Sequence, residues 1–227
     1  MNSMLNFVAR STVALAAIFA VATASLAQDS VTPEAGPETS ASVPLSSDGG
    51  LGTGVYENET YLGAPDAPIV LVEYASLTCP HCANFHRDGY PLLTPFIDAG
   101  QLAYVYRDFP LDGVAYRAAL AARCLSGEAY FAAIEALYEN QRDWRGGSSE
   151  DELATEISSL TGQSVEEYKA CVGDQANQQT IIERYNTAAE DLGVDGTPRI
   201  FINGELFTPR KGWTEIGDEI ERRVGRL

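Results

Sequence analysis

Residues 68–82 read Pro68-Ile69-Val70-Leu71-Val72-Glu73-Tyr74-Ala75-Ser76-Leu77-Thr78-Cys79-Pro80-His81-Cys82. Pro68 to Ala75 is an apolar run rich in β-branched residues, and the turn-forming Gly63-Ala64-Pro65-Asp66 precedes it. This pattern predicts a buried strand. The Cys-Pro step then predicts the opening of a helix, with Cys79 at the N-cap and Pro80 at the first helical position, where a missing N–H costs nothing. Two features depart from plain core-building. Glu73 interrupts the apolar strand, where a buried acid is costly unless it has a partner or a task; an edge strand that lets Glu73 face water is the alternative. Cys79 and Cys82 bracket the first turn of the predicted helix.

Outward from this stretch, the helical pattern is disturbed at Gly89 and Pro91, resumes from Leu92 to Ile97 and stops at Gly100, which predicts a kinked helix. Gln101 to Phe109 alternates Leu102, Tyr104 and Tyr106 with Ala103, Val105 and Arg107, the period of a strand. From Gly113 to Gly193 the apolar residues recur at helical spacing, as in Phe131, Ile134, Leu137 and Tyr138 or Ile181, Tyr185, Ala188 and Leu192. That block predicts several helices and no strand. Pro198 to Ile202 is again β-prone, Asn203-Gly204 is a hairpin turn signal, Glu205 to Thr208 is the returning strand, and Trp213 to Val224 is an amphipathic helix. The order is β-α-β, a helical block, then β-β-α. This is an α/β class: the thioredoxin order of elements with an inserted all-helical domain. Residues 55–112 and 194–227 would form the thioredoxin-like domain and residues 113–193 the insertion.

The start of the chain reads differently. One basic residue, Arg10, precedes the unbroken apolar run Val13 to Ala22, and Ser25-Leu26-Ala27 places small residues at a cleavage position. Residues 1–27 therefore read as a signal peptide cleaved after Ala27, with an uncleaved anchor as the alternative. Residues 28–54 hold five Gly and three Pro with no aromatic, Lys or Arg, the composition of a flexible leader. Export into an oxidising space, the periplasm, follows from that reading. Charge excludes other classes. With 15 basic and 32 acidic residues the net charge is −17, which repels nucleic acid and anionic membranes.

Chemistry is concentrated in the cysteines. At a helix N-cap, unpaired N–H groups and the positive end of the helix dipole favour a thiolate, and His81 adds to this, so Cys79 is expected to be the exposed, low-pKa thiol. A thiolate is the attacking and leaving species in disulfide exchange. Cys82, one turn on, is placed to resolve a mixed disulfide. A Cys-x-x-Cys loop is too short for its disulfide to remove much chain entropy, so a purely structural bond is the weaker alternative. A metal site is the sharper one, because His81 and His86 are the two histidines of the chain and both lie near the pair. His81, however, sits between the cysteines and would struggle to share a tetrahedron with both.

Leu62-Gly63-Ala64-Pro65-Asp66-Ala67-Pro68, the run Val72 to Cys82, the interrupted order of elements and Gly196-Thr197-Pro198 together resemble the DsbA family of periplasmic thiol:disulfide oxidoreductases, in its alphaproteobacterial form. The resemblance implies a redox-active Cys79–Cys82 disulfide and a cis-proline, Pro198, facing it, with the Thr197 carbonyl free to pair with a substrate backbone. It also implies that Glu73 is a buried acid relaying the proton of Cys82. Substrates would be reduced or unfolded exported proteins, the reoxidant a DsbB-like membrane partner, and the protein a monomer that needs no bound cofactor or metal. Thr197 before the proline also occurs in isomerases of this fold, so oxidase and isomerase both stay open. A copper- or zinc-binding role is the reading from a different class. Cys124 and Cys171 fall on apolar stripes of different predicted helices, and in an exported chain a structural Cys124–Cys171 disulfide is the simplest outcome, with two buried free thiols as the alternative.

Overall fold

The computed structural model describes residues 59–147 and 149–227. The signal peptide expected at 1–27 and the leader expected at 28–54 lie outside the described residues. Among the described residues five strands form one sheet in the order β1-β3-β2-β4-β5. These are β1 (Tyr61–Leu62), β2 (Ile69–Ala75), β3 (Leu102–Asp108), β4 (Arg199–Ile202) and β5 (Glu205–Phe207). β2 runs parallel to β3, with Glu73 opposite Tyr106, and antiparallel to β4, with Glu73 opposite Ile200. The strand carrying Glu73 is therefore central, and the edge-strand alternative is overturned. Every residue of β2 and β3 is buried, as expected of strands covered on both faces.

β1 had no counterpart in the sequence pattern, since two residues carry no period. It pairs antiparallel with β3, Tyr61 opposite Val105. The chain then turns at Gly63 with φ +100°, where a Cβ would lie 2.2 Å from the Leu102 carbonyl oxygen, so both the conformation and the space require glycine. The β4–β5 turn uses Asn203 and Gly204, both at positive φ. Asn203 Oδ1 also accepts from the Val70 N–H at 2.7 Å, which ties the hairpin back to β2.

Between β2 and β3 lie α1 (Pro80–Asp88), a 3-10 turn at Tyr90–Leu92 and α2 (Thr94–Asp98). The break at Gly89 is a packing requirement as well as a helix end, because a Cβ there would approach the Phe85 ring to 2.7 Å. Between β3 and β4 come α3 (Gly113–Arg123), α4 (Glu128–Glu139), α5 (Gln141–Trp144), α6 (Glu150–Thr161), α7 (Val165–Gly173) and α8 (Gln175–Asn186), which a π-helical segment extends from Thr187 to Asp191. Side chains cap several of them: Asp112, Ser149, Ser164 and Asp174 each accept from a backbone N–H in the first turn. The chain ends with α9 (Glu215–Val224), which starts two residues later than the periodicity suggested.

Ile69, Leu71 and Ala75 of β2 share one core with Phe85 of α1, Ile134 and Leu137 of α4, Trp144 of α5, Ile157 of α6 and Ile216 of α9. The helical block thus packs into the same core as one face of the sheet. The opposite face, with Val70, Val72, Val105 and Phe201, is covered by Ala188, Tyr185 and Val194. A buried ion pair, Arg107 Nε to Glu59 Oε1 at 2.9 Å, closes that side, with Arg107 also donating to the Tyr74 hydroxyl. Cys124 and Cys171 are bonded to each other, 47 residues apart in sequence, which overturns the free-thiol alternative. Among the described residues no helix is long and apolar enough to cross a membrane.

Candidate active site

The strand-to-helix junction is built by local signals. Cys79 takes an extended conformation, φ −74° and ψ 120°, at the N-cap of α1, and Pro80 follows as the first helical residue. The Cys79 N–H donates to the Ser76 carbonyl and the Cys79 carbonyl accepts from the Ala83 N–H. Cys79 and Cys82 are free thiols here. Cys79, expected to be the exposed one, is only 6% exposed, and Cys82 is sealed at 0%. The cover over Cys79 includes the loop before β4: its Sγ donates to the Thr197 carbonyl at 3.4 Å, and the Thr197–Pro198 peptide is cis. Folding thus brings Thr197, 118 residues downstream, against the first cysteine.

The two thiols are driven apart in acidity. Donation from the Cys82 thiol, against the opposing effect of burial, lowers Cys79 from 9.0 to about 5, with the Thr197 side chain and the N–H groups of Cys82 and His81 adding to it. Cys82 is pushed well above its ordinary value, first by burial, then by its bond to Cys79 and the charge of Glu73. His81 was expected to act through its side chain. That side chain is exposed, and it is the His81 backbone N–H that stabilises the thiolate.

Glu73 is fully buried beneath the pair. Its Oε2 accepts from the Tyr104 hydroxyl at 2.5 Å and lies 3.1 Å from His86 Nε2, while Oε1 has no hydrogen-bond partner. His86 entered the sequence reading only as a metal ligand. Its two ring nitrogens are instead taken by carboxylates, Nε2 by Glu73 and Nδ1 by Glu135 of α4 at 2.6 Å. Burial opposes its charge, but the two carboxylates outweigh burial and raise it from 6.5 to about 9. The ring is stacked between Tyr138, with centroids 4.1 Å apart, and Tyr90 at 5.2 Å. Among the described residues no three His, Cys, Asp or Glu side chains are grouped as a metal site would need.

Gln141 of α5 was also not singled out from sequence. It is 4% exposed and its amide nitrogen donates to the Leu77 carbonyl at 2.8 Å and the Cys79 carbonyl at 2.9 Å. A polar residue opening a short helix gives no hint of partners more than sixty residues upstream, so only folding could find it.

A low-pKa thiol at a helix N-cap, a buried second thiol one turn on, an acid beneath them and a cis-proline loop across them define a thioredoxin-fold protein of the dithiol type. A family model described as Thioredoxin matches residues 56–222. The crystal structure of Wolbachia pipientis alpha-DsbA1 superposes with a TM-score of 0.67 at 30% identity, covering 74% of this chain and 92% of that one. BdbD from Bacillus subtilis shares the fold, with a TM-score of 0.63 at 22% identity, covering 74% and 93% of the two chains. A Rickettsia bellii protein provisionally named a protein-disulfide oxidoreductase is 37% identical over 150 residues, 65% of this chain. The match spans 58% of that relative's own length. The chain belongs to the DsbA family of thioredoxin-like proteins.

Proposed function

We propose that the protein is a thiol:disulfide oxidoreductase working as an oxidase, which donates a Cys79–Cys82 disulfide to exported proteins. The observation that carries this reading is the environment of Cys79, whose thiol is lowered to about 5. A dithiol whose first sulfur is held as a thiolate loses that favourable charge on forming a disulfide, so the disulfide is easy to reduce and oxidises its client. A client thiolate attacks Cys79 Sγ, the Cys79–Cys82 bond breaks, and Cys82 departs with the electron pair. The second client thiolate then attacks the client sulfur of the mixed disulfide and Cys79 leaves as a thiolate. Two electrons pass from the client thiols to the cysteine pair.

In this reading Cys79 is the reacting sulfur, Cys82 the resolving one and Glu73 the proton donor to Cys82. The Thr197 carbonyl, which accepts from Cys79 here, pairs with the client backbone when the Cys79 proton is gone, and Pro198 presents it. His81 contributes its N–H. Residues 113–193 act as an inserted helical domain, the chain is exported to the periplasm, and a DsbB-like membrane protein reoxidises it. A second reading, disulfide isomerase, rests on Thr197, whose counterpart occupies that position in isomerases of this fold.

The experiment compares recovery of ribonuclease activity from the reduced and from the scrambled enzyme, with mass by light scattering in the same buffer. An oxidase rescues reduced ribonuclease efficiently, rescues scrambled ribonuclease poorly and is a monomer. Efficient rescue of the scrambled form by a stable dimer makes it an isomerase.

A further inference from the structure

The chain carries 32 acidic residues against 15 basic ones, so an exposed arginine has many carboxylates within reach. Most arginines among the described residues do pair, as Arg117 does with Glu150, Arg199 with Asp195 and Arg223 with Glu205 and Glu219. Arg142 and Arg145 do not. Both are exposed, neither forms an ion pair among the described residues, and both line a cleft of about 650 Å³ between α1 and the α4–α5 corner. The cleft opens at Pro80, the residue after Cys79. We infer that Arg142 and Arg145 form a subsite for a client carboxylate, an Asp or Glu side chain within two or three residues of the client's reacting cysteine. The inference rests on thiol–disulfide exchange at Cys79.

Folding holds this subsite in register with the reacting sulfur. Gln141, the residue before Arg142, donates to the Leu77 and Cys79 carbonyls at 2.8 and 2.9 Å. Trp144, the residue before Arg145, is fully buried, and its indole N–H donates to the Leu137 carbonyl at 2.7 Å. The Arg145 N–H closes the turn on the Gln141 carbonyl at 3.1 Å. Two buried side chains thus anchor α5 while the arginine that follows each of them stays exposed beside the turn that carries Cys79. An extended client advances about 3.3 Å per residue, so a side chain two or three residues from the attacking cysteine lies about 7–10 Å along, over a cleft that opens next to Cys79.

The other charges on the cleft walls leave the arginines in excess. Glu135 is taken by His86 Nδ1 at 2.6 Å, and Arg87 by the two oxygens of Asp88 at 2.9 and 2.8 Å. Glu139 is the remaining acid, set against two unpaired guanidinium groups. A guanidinium offers a carboxylate a planar fork of donors, and an unpaired one gives up no existing partner to do so. The net charge of −17 repels an acidic client as a whole, so the selection is for a carboxylate at one point near the cysteine and not for acidity in general.

The test follows, by stopped flow, the oxidation of reduced two-cysteine peptides by the oxidised full chain over a range of peptide concentrations. The peptides carry Glu, Gln or Lys two residues before or two residues after the first cysteine. Each rate is divided by that peptide's rate with a small neutral disulfide, which removes differences in intrinsic thiol reactivity. In one of the two placements the wild type is expected to favour the Glu peptide over the Gln peptide about 5-fold, the top of the range for an exposed ion pair. The gain lies in the half-saturating concentration and leaves the limiting rate alone, because the contact is the same before and during exchange. It weakens at high salt. The double variant Arg142→Gln, Arg145→Gln loses the preference while oxidising the Gln peptide at the wild-type rate, and Arg142→Glu with Arg145→Glu reverses it in favour of the Lys peptide. Equal rates for the Glu and Gln peptides in the wild type overturn the subsite, as does a preference that survives in the double Gln variant. A wild-type chain that oxidises none of the peptides overturns instead the oxidoreductase reading on which the subsite rests.

Discussion

The side-chain amide nitrogen of Gln141 lies 2.9 Å from the carbonyl oxygen of Cys79 and 2.8 Å from that of Leu77, so a helix inserted after β3 holds both sides of the turn that begins α1. Both carbonyls belong to buried residues, and an acceptor buried without its donor costs about 1–3 kcal/mol. The insertion therefore shapes the reactive turn as well as covering the core.

Gln141→Leu keeps the volume and removes the donor. It is expected to lose about 2 kcal/mol in urea unfolding and to raise the pH midpoint of Cys79 alkylation, because the first-turn N–H groups are no longer held in line with the sulfur. An unchanged urea midpoint would show that the turn does not depend on this bond.

Cys82 and Cys79 are expected to separate cleanly in alkylation. With iodoacetamide near pH 5 to 6, Cys79 reacts and Cys82 does not, given a Cys79 midpoint of about 5 and a Cys82 value raised by burial. Since the Cys82 thiol is the largest contributor to lowering Cys79, Cys82→Ala moves the Cys79 midpoint upward, and Cys82→Ser, which retains a donor, moves it less. Mass spectrometry of the labelled peptide at each pH checks this, and faster labelling of Cys82 would reverse the assignment.

Reduced and oxidised forms should differ in stability in a pH-dependent way. The folded pKa of Cys79 lies below its ordinary 9.0, so the thiolate contributes stability fully above that value and loses it as pH falls through about 5. At pH 7 the contribution to the reduced form is about 3 kcal/mol, from two pH units at 1.36 kcal/mol each. Cys82 adds nothing there, being neutral in both states. The gap between the urea-unfolding free energies of the reduced and oxidised forms should shrink by that amount from pH 7 to below pH 5, since loop closure by the bond does not depend on pH. A gap constant over that range would contradict the thiolate account.

Cys124–Cys171 closes a loop with a sequence separation of 47. In the chain-entropy model that stabilises by roughly 4 kcal/mol, an upper figure because the reduced chain retains structure. The double Ala variant is expected to melt at lower temperature while its Cys79 alkylation profile stays put. A shifted profile would show that the bond also shapes the reactive turn.

Sequence alone was sufficient wherever the determinant is local. The strand at 69–75, the helix opened by Cys79-Pro80, the Asn203-Gly204 hairpin and the helical block between β3 and β4 all follow from periodicity, capping and turn chemistry within a few residues. The direction of the Cys79 shift was expected from the helix N-terminus it starts, but its largest cause, donation from the Cys82 thiol, and the burial of Cys79 under the Thr197 loop were not. The fate of Glu73 was not legible either. Whether an acid in an apolar strand is buried depends on the strand's neighbours, and only the sheet order, with β3 on one side and β4 on the other, made it central.

What tertiary structure alone decided is the set of partners that make the buried charges tolerable. His86 meets Glu73 across 13 residues and Glu135 across 49, Gln141 reaches Cys79 across 62, and Thr197 reaches Cys79 across 118. No periodicity encodes such pairings, because a hydrogen bond needs a few tenths of an ångström of placement and sequence pattern resolves only which face of an element is apolar. The two-residue β1 escaped notice for a related reason: its strand character comes from the free edge of β3 rather than from Tyr61 and Leu62 themselves.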